Sequence, residues 1–423
     1  MLAAGPPRPG CHNAAVTSTE ALVVGAGPAG SAAAAWAARA GHDVLLVDAQ
    51  AFPRDKTCGD GLTPRAIAQL VDLGMGPWLA DRPRNRGIRM LGFGAEHELA
   101  WNGPHLPTYG SAAPRTELDD AIRRTAVAAG ATFRGATRAV DVYRGADGRV
   151  ASVLLRTAEG TEEVTCRQLI VADGVRSTLG RVLGRTWHRD TAYGIAARAY
   201  VRSERHDDPW ISSHLELVDE GGTTLPGYGW IFPLGDGRVN LGVGSLATGA
   251  RHGDVHLHTL LQHYARQQRT PFALDGEVTM LASAMLPMGG AASGVAGPNW
   301  RCIGDAAACV NPLNGEGIDY GLETGRLAAA TLALPDATSA WPALLHEHYG
   351  ATFSVARRLA ALLTIDSFLP RFGPIGMRSQ AIMGVALRVM GNLVSDEDAD
   401  VVARLWRAAG RVSQRFDARP PWA

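Results

Sequence analysis

The chain has 423 residues, of which 46% are hydrophobic, and it carries 41 basic and 41 acidic side chains. A formal net charge of zero argues against a protein that binds nucleic acid through phosphate contacts. The five cysteines include no CxxC pair, which predicts free thiols in a reducing cytoplasm and argues against a disulfide framework or a zinc site.

The first 19 residues are rich in proline and glycine and predict a disordered extension. They lack the apolar region of a signal peptide. Elsewhere, no uninterrupted apolar run reaches the ~18 residues of a membrane-spanning helix. We therefore expect a cytoplasmic protein that is soluble or lies on a membrane surface.

Residues 21–48 have the pattern of a nucleotide-binding βαβ unit. An apolar strand runs into Gly25, Gly27 and Gly30, an alanine-rich helix follows, and a second strand ends at Asp48. In this pattern the glycines permit a tight turn, a close approach to a pyrophosphate and close helix packing, while the acid binds ribose hydroxyls. The stretch predicts a dinucleotide site. The alternative is a glycine-rich turn in an unrelated α/β unit.

The stretch RDKTCGDGLTPR, residues 54–65, has neither helical nor strand periodicity. Its Cys58 suits three roles: a nucleophile, a metal ligand, or a small residue in a loop that packs against a flat group. Beyond it, helices are predicted over about 64–73 and 114–130, and Thr116 is placed to cap the second helix.

Strand patterns separated by turn residues fill 185–288, which predicts an antiparallel substrate-binding sheet inserted in the nucleotide-binding domain. That domain is then discontinuous, comprising 20–184 and 289–335, and 336–423 forms a helical C-terminal region. The predicted fold class is α/β (α+β), with a Rossmann-type domain, an inserted antiparallel sheet and C-terminal helices.

Three motifs that are distant in sequence fit a flavin nucleotide better than three unrelated turns. They are the glycines at 25–30, Asp173-Gly174 after an apolar strand, and Gly304-Asp305 before a glycine-rich helix start. A strand-end aspartate suits the ribityl hydroxyls, and a helix N-terminus favours the negative charge of a reduced flavin.

At this point the sequence resembles FAD enzymes of the p-hydroxybenzoate hydroxylase fold and, within them, the geranylgeranyl reductase family. The resemblance covers about residues 20–420. It is carried by GAGPAG at 25–30, KTCGDGL at 56–62, ADG at 172–174, YGWIFP at 228–233, GVG at 242–244 and GDAAACVNPLNGEGI at 304–318. PMGGAASGVAG at 287–297 is similar to the actinobacterial branch, whose members reduce one isoprene double bond in the menaquinone tail.

Together, the motifs and the resemblance imply FAD as the cofactor. The residues assigned to FAD are Gly25, Ala26, Gly27, Pro28, Ala29, Gly30, Asp48, Lys56, Cys58, Gly59, Asp60, Gly61, Arg115, Asp173, Asp305, Gly315, Gly317 and Ile318. Within the loop at 54–65, Lys56 and Asp60 are expected to anchor or order the chain.

Tyr228, Trp230 and Phe232 alternate in sequence, so on a strand their rings face one side. The pattern alone favours a core strand. The resemblance instead implies that these three residues and Pro233 line the cavity for menaquinone or another long-chain isoprenoid. The implied reaction is hydride transfer from reduced flavin to an isoprene double bond, with a proton delivered to the other carbon.

Cys58 and Tyr228 are the candidate catalytic residues, because both are expected beside the flavin ring. The sequence does not identify the external electron donor. The alternatives are reduction of geranylgeranyl diphosphates or lipids, a flavin monooxygenase on the same fold, and a flavin- or isoprenoid-binding carrier without turnover.

Two further segments carry open interpretations. His252, His256, His258 and His263 cluster in sequence but lack a third ordered ligand, so no metal is assigned. Residues 368–394 mix large apolar side chains with arginines, including Arg388. They predict either an interfacial membrane-binding segment with its arginines at headgroup level or a helix packed on the substrate sheet.

Overall fold

The computed structural model describes residues 17–249 and 256–423. Most of the predicted extension, with Cys11, and His252 of the histidine cluster lie outside the described residues. The extension was predicted to reach residue 19, whereas the first strand begins at Thr17 and is paired from that residue on.

The described residues form twenty strands and twelve α-helices. The strands are β1 (Thr17–Val24), β2 (Val44–Val47), β3 (Gly61–Leu62), β4 (Arg84–Asn85), β5 (Gly87–Gly92), β6 (Ala95–Ala100), β7 (Gly110–Ala112), β8 (Thr132–Arg134), β9 (Arg138–Arg144), β10 (Val150–Arg156), β11 (Thr161–Val171), β12 (Thr186–Trp187), β13 (Tyr193–Ser203), β14 (Trp210–His214), β15 (Gly227–Pro233), β16 (Arg238–Ala247), β17 (Leu274–Leu286), β18 (Ala292–Ser293), β19 (Ala296–Gly297) and β20 (Trp300–Cys302). The helices are α1 (Pro28–Arg39), α2 (Pro64–Asp72), α3 (Gly76–Ala80), α4 (Arg115–Ala128), α5 (Thr178–Leu183), α6 (Leu257–Gln268), α7 (Ile318–Ala330), α8 (Ala340–Leu345), α9 (Ala351–Leu363), α10 (Phe368–Gly376), α11 (Gln380–Met390) and α12 (Val401–Gln414).

The nucleotide sheet has the order β19-β20-β11-β1-β2-β8, with β10 and β9 continuing from the first half of β11. Strands β20, β11, β1, β2 and β8 are parallel, and all of β2 is buried, as apolar strands covered on both faces must be. Helix α1 packs against α4 and α7. This arrangement confirms the predicted Rossmann-type domain.

The substrate sheet has the order β17-β13-β16-β15-β14-β5-β6. Two features differ from the prediction. Strands β5 and β6 belong to this sheet although 20–184 was assigned to the nucleotide domain, and β14 pairs with β5 in parallel. The pairing of β5 with β14 joins residues about 120 positions apart, so short-range periodicity carries no signal for it.

The C-terminal region is helical, as predicted. Helix α12 packs on α9, and α11 packs on β6 of the substrate sheet. The contact of α11 is apolar, because Met383 and Leu387 join a buried cluster with Met90, Leu99 and Trp101.

The predicted N-cap of α4 is wrong. The helix begins at Arg115 with Pro114 in the N-cap position, and no side chain caps it. Thr116 therefore lies inside the first turn, where its own backbone is already helical.

Candidate active site

A mainly apolar cavity of about 510 Å³ lies between the glycine turn of the nucleotide sheet and one face of the substrate sheet. The volume falls in the range typical of small-molecule sites. Its walls come from the loop at 54–65, strands β13, β15 and β17, the start of α7, and helices α10 and α11. Residues distant in sequence therefore converge on one space.

The three glycines of the first turn occupy three different environments. Gly25 has φ +104° and an added Cβ would lie 2.2 Å from the carbonyl oxygen of Ala172, so only glycine fits this turn. An added Cβ at Gly30 would lie 1.8 Å from the carbonyl oxygen of Gly25, so α1 starts in close contact with the turn. Gly27 lines the cavity, and an added Cβ there would meet only Arg54, at 3.4 Å.

Asp48 ends β2 and is buried beside this turn. Its carboxylate accepts the backbone N–H groups of Ala26 and Gln50 at 2.8 and 2.9 Å. Arg54 lies 3.8 Å from it and forms a 2.8 Å ion pair with the buried Asp119. The cavity lining does not include Asp48, whose hydrogen bond to Ala26 ties the turn to the end of β2.

The loop at 54–65 is held from both domains. Lys56 donates to Asp305 of the nucleotide domain at 2.8 Å, and Arg198 of β13 pairs with Asp55. Burial opposes the ionisation of Asp305, yet Lys56 together with Arg115 and Arg185 outweighs it, so the pKa of Asp305 lies below its usual value. These contacts fix the loop between the two sheets.

Asp60 has φ +63° and its side chain is fully buried. Its carboxylate accepts the hydroxyl of Tyr200 at 2.6 Å and the amide of Asn240 at 2.8 Å. Burial raises the pKa of Asp60 to about 6, and these two hydrogen bonds limit the rise. Asp60 thus orders the loop, as the sequence allowed, but its side chain faces the substrate sheet and does not line the cavity.

Cys58 lines the cavity. Its carbonyl oxygen accepts the amide of Asn240 at 2.9 Å, and its Sγ accepts the N–H of Asp60 at 3.3 Å. Burial raises the pKa of the thiol, and the charge of Arg115 opposes that rise. Arg115 also lines the cavity and makes a bidentate ion pair with Asp119 at 2.7 and 2.8 Å.

The predicted aromatic wall is present on β15. The rings of Tyr228, Trp230 and Phe232 all line the cavity, with centroids 5.9 and 6.3 Å apart. Trp230 lies over Gly242, its partner on β16, where an added Cβ would come within 2.0 Å of the indole ring. The Trp230 indole donates to Asn240 at 2.9 Å.

Pro233 was assigned to the substrate cavity but lies outside the lining of the cavity described above. It lines a separate surface pocket together with Leu234 and Gly235. Position 233 directly follows Phe232 in β15, so its side chain points to the opposite face of the sheet from the three rings.

The start of α7 forms another part of the wall. Gly317 occupies the N-cap without a capping side chain, and Gly315 has φ +76°. Both line the cavity, as does Ile318. The positive end of α7 thus lies at the cavity wall and suits a group with negative charge.

Asp173 differs from its expected role. Its two carboxylate oxygens accept the hydroxyl of Ser177 and the N–H of Leu179, at 2.7 and 2.8 Å. Its neighbours Ala172 and Gly174 line the cavity, whereas Asp173 holds the start of α5. A motif of two residues specifies the turn but not the direction of the carboxylate.

The structure therefore divides the predicted site residues into two groups. Those that line the cavity are Gly27, Pro28, Ala29, Lys56, Cys58, Gly59, Gly61, Arg115, Tyr228, Trp230, Phe232, Asp305, Gly315, Gly317 and Ile318. Those outside its lining are Gly25, Ala26, Gly30, Asp48, Asp60, Asp173 and Pro233.

Sequence reasoning missed three polar residues. Arg54 approaches the glycine turn, Asn240 links Trp230 to the loop at 54–65, and Glu316 lines the cavity at the start of α7. Glu316 lies inside a motif that carried the resemblance and Arg54 borders another, so a charged side chain at either position could have been proposed as a site residue. The sequence gives no such signal for Asn240, because its role depends on contacts with residues distant in the chain.

Residues 17–249 and 256–423 contain no group of three or more His, Cys, Asp or Glu side chains placed to hold a metal ion. Nor does any helix in these two ranges have the length and hydropathy of a membrane-spanning segment.

Comparison with known proteins gives a consistent result. Residues 18–361 match the FAD binding domain family. The chain is 60% identical over 410 residues to a menaquinone reductase of Mycolicibacterium smegmatis, covering 96% of this chain and 100% of the relative. It is 31% identical over 365 residues to digeranylgeranylglycerophospholipid reductase 1 of Methanopyrus kandleri, covering 81% of this chain and 90% of the relative.

Among solved structures, a geranylgeranyl bacteriochlorophyll reductase-like protein from Thermoplasma acidophilum has a similar fold. The TM-score is 0.72 with 21% sequence identity, and the alignment covers 92% of this chain and 99% of that chain.

Proposed function

The chain belongs to the FAD binding domain family and, within it, to the family of the menaquinone and geranylgeranyl reductases, and on that premise we propose that it saturates an isoprene double bond in the tail of menaquinone. It is an FAD-dependent oxidoreductase that reduces isoprenoid chains. The observation that supports menaquinone, beside the relatives, is the apolar cavity that passes the aromatic wall and reaches α10 and α11.

The residues of this chain fit FAD. Gly27 leaves room beside an uncapped helix N-terminus, and Arg54 is close enough to add positive charge there. We propose that Gly27, Pro28 and Ala29 hold the pyrophosphate and that Lys56 and Asp305 face the ribityl chain. The start of α7 then offers N–H groups to the ring. When reduced, FAD supplies a hydride to the double bond.

The aromatic wall supports binding of the isoprenoid tail. Tyr228, Trp230 and Phe232 present three neighbouring rings to the cavity, and Leu286 and Met288 add further apolar lining. Such a lining excludes water and holds a chain that has no polar group to direct it. Ring faces also favour partial positive charge on a protonated double bond.

We further propose that the protein docks on the membrane through the outer face of α10 and α11. Phe372, Ile375 and Val385 are 54%, 57% and 47% exposed on this face. On the inner face of the same helices, Leu369 and Met383 line the cavity. In this orientation, the helices α10 and α11 separate a menaquinone tail in the bilayer from the cavity.

One predicted membrane contact is wrong. Arg388 is buried and pairs with Asp398 at 2.8 Å and with Asp400, so it does not lie at headgroup level. Arg371 and Arg378 are exposed beside the apolar face. These two side chains are the ones available to anionic headgroups.

The substrate is tested with the dithionite-reduced holoprotein under anaerobic conditions. Each reaction receives one substrate: menaquinone, geranylgeranyl diphosphate or a geranylgeranyl lipid. The product is then extracted and reoxidised in air, and its mass is measured by mass spectrometry. Air reoxidation removes hydrogens added to the quinone ring, so a persistent gain of two hydrogens on menaquinone reports a saturated isoprene unit. A gain confined to the geranylgeranyl compounds refutes the substrate assignment, and a gain of oxygen identifies a monooxygenase.

A further inference from the structure

Glu316 is a half-buried acid that the cofactor and substrate assignments do not use. It lies between Gly315 and Gly317 and lines the cavity. Its backbone is fixed on both sides, because its N–H donates to the Asn314 side chain and its carbonyl accepts the N–H of Asn311, both at 2.8 Å. The carboxyl Oε1 is buried and has no hydrogen-bond partner among the described residues.

The surroundings of Glu316 favour its protonated form. Burial raises the pKa of Glu316 well above its usual value, and the nearby carboxylate of Asp319 raises it further. The backbone N–H of Asp319 opposes this rise without reversing it. Asp319 is itself buried and accepts hydrogen bonds from Tyr320 and Asn392, at 2.6 and 2.7 Å. Two neighbouring acids that are both shielded from water do not both ionise readily.

The other acids of the cavity are less suited to release a proton. The hydroxyl of Tyr228 already donates to the carbonyl of Asn314 at 2.5 Å. Burial raises the pKa of Tyr228 far above its usual value, with a contribution from Glu316. Burial likewise raises the pKa of the Cys58 thiol. A carboxylic acid is intrinsically the stronger acid of the three.

We propose that Glu316 is the proton donor to the isoprene double bond, an assignment that rests on the proposed function. The O–H bond of its carboxyl group breaks as a C–H bond forms at one alkene carbon, and the π bond is lost. The other carbon receives hydride from reduced FAD, which supplies both electrons. Water then reprotonates the carboxylate. The uncapped start of α7 steadies the negative charge that remains on Glu316 between these steps.

The test compares E316Q with wild type in single turnover. Glutamine keeps the shape of the side chain but has no acidic proton. With rates normalised to bound FAD, we expect saturation of menaquinone to slow by at least about thirtyfold, since general acid catalysis typically contributes 10²–10⁴-fold. A smaller loss overturns the proposal. E316D, which keeps an acid, should be faster than E316Q, and equal rates of the two also overturn it.

A second readout does not depend on turnover. In the infrared difference spectrum of wild type against E316Q at neutral pH, we expect the carbonyl band of a protonated carboxylic acid. Absence of that band means that Glu316 is ionised, and the proposal fails.

Three further variants separate the alternatives. E347Q, the same substitution at an exposed position, should keep the wild-type rate. C58S and Y228F should each lose less than E316Q, and a larger loss in either assigns the proton to that residue and overturns the proposal. If wild type itself yields no saturated menaquinone, the proposed function fails, whatever the infrared band of Glu316 shows.

Discussion

Asp60 shows how the fold sets the charge of a single side chain. Its folded-state pKa of about 6 lies above its value of 3.8 in an unfolded chain because the carboxyl group is buried. Between these two pH values the folded protein holds a proton that the unfolded chain has released. Folding stability therefore falls as pH rises through this window, and the loss remains above it.

The variant D60N tests how much folding stability is lost when Asp60 ionises. Asparagine tolerates a positive φ and can still accept from Tyr200, but it does not ionise. We expect the stability of D60N relative to wild type to increase by about 1 kcal/mol between about pH 5 and pH 7, because only wild type must bury a charge. Thermal unfolding midpoints at both pH values, with saturating FAD, measure the difference. An identical pH dependence in the two proteins contradicts the account.

Gly25 and Gly27 make a second contrast between single residues. G25A places a Cβ against the Ala172 backbone at a positive φ, so we expect a stability loss of about 1–3 kcal/mol. G27A adds a Cβ that faces the cavity, so the apoprotein should lose no more than about 1 kcal/mol. FAD affinity of G27A should nevertheless fall at least tenfold, measured by flavin fluorescence. Wild-type affinity in G27A would remove Gly27 from the proposed phosphate site.

At the scale of elements, the loop at 54–65 is ordered by its neighbours and not by its own sequence. Its glycines allow the aromatic wall to pack closely against the loop, because added Cβ atoms at Gly59 and Gly61 would lie 3.2 and 2.9 Å from Phe232. The buried amide of Asn240 then ties the loop to β16. Of the three roles first open to Cys58, the small residue in a tightly packed loop fits these contacts.

Helices α10 and α11 differ in how firmly they are held. Helix α10 has no buried residue, whereas α11 buries Met383, Leu387 and Arg388 against its neighbours. The two interpretations of 368–394 are thus compatible, because one face packs on the substrate sheet while the other stays free.

The membrane proposal is tested on the free face. In the variant F372S/I375S/V385S, three exposed apolar side chains become polar without loss of core packing. The substitutions remove about 2 kcal/mol or more of the favourable free energy of burying these side chains in the membrane. Binding to anionic vesicles should therefore weaken at least tenfold in a sedimentation assay. The control V71S/V127S/Y143S changes equally exposed apolar residues elsewhere and should bind as wild type does. Equal binding of the two triple variants contradicts the proposal.

At the scale of the whole molecule, the sequence predicted those parts whose physical cause is local. The turn could be read because backbone conformation and close approach demand glycine at Gly25 and Gly30. The same holds for the alternation that places three rings of β15 on one face. Family resemblance joined these local signals into one site.

The parts that the sequence did not reveal depend on contacts between distant residues. Asp173 turns toward α5, Arg388 pairs with acids of the next segment, and β5 joins the substrate sheet through β14. Each of these outcomes is decided by what packs nearby in the folded chain. Glu316 was visible within its motif, but its place in the cavity lining beside Asp319 became apparent only in the folded chain.

The most direct test of the central claim is the stoichiometry of a single turnover. Holoprotein reduced by one equivalent of two-electron reductant is mixed anaerobically with excess menaquinone. Cofactor oxidation is followed by absorbance, and the mass of the lipid is measured by mass spectrometry after reoxidation in air. We expect one saturated isoprene unit for each FAD oxidised. Oxidation of FAD without any persistent gain of two hydrogens on the menaquinone tail would contradict the central claim.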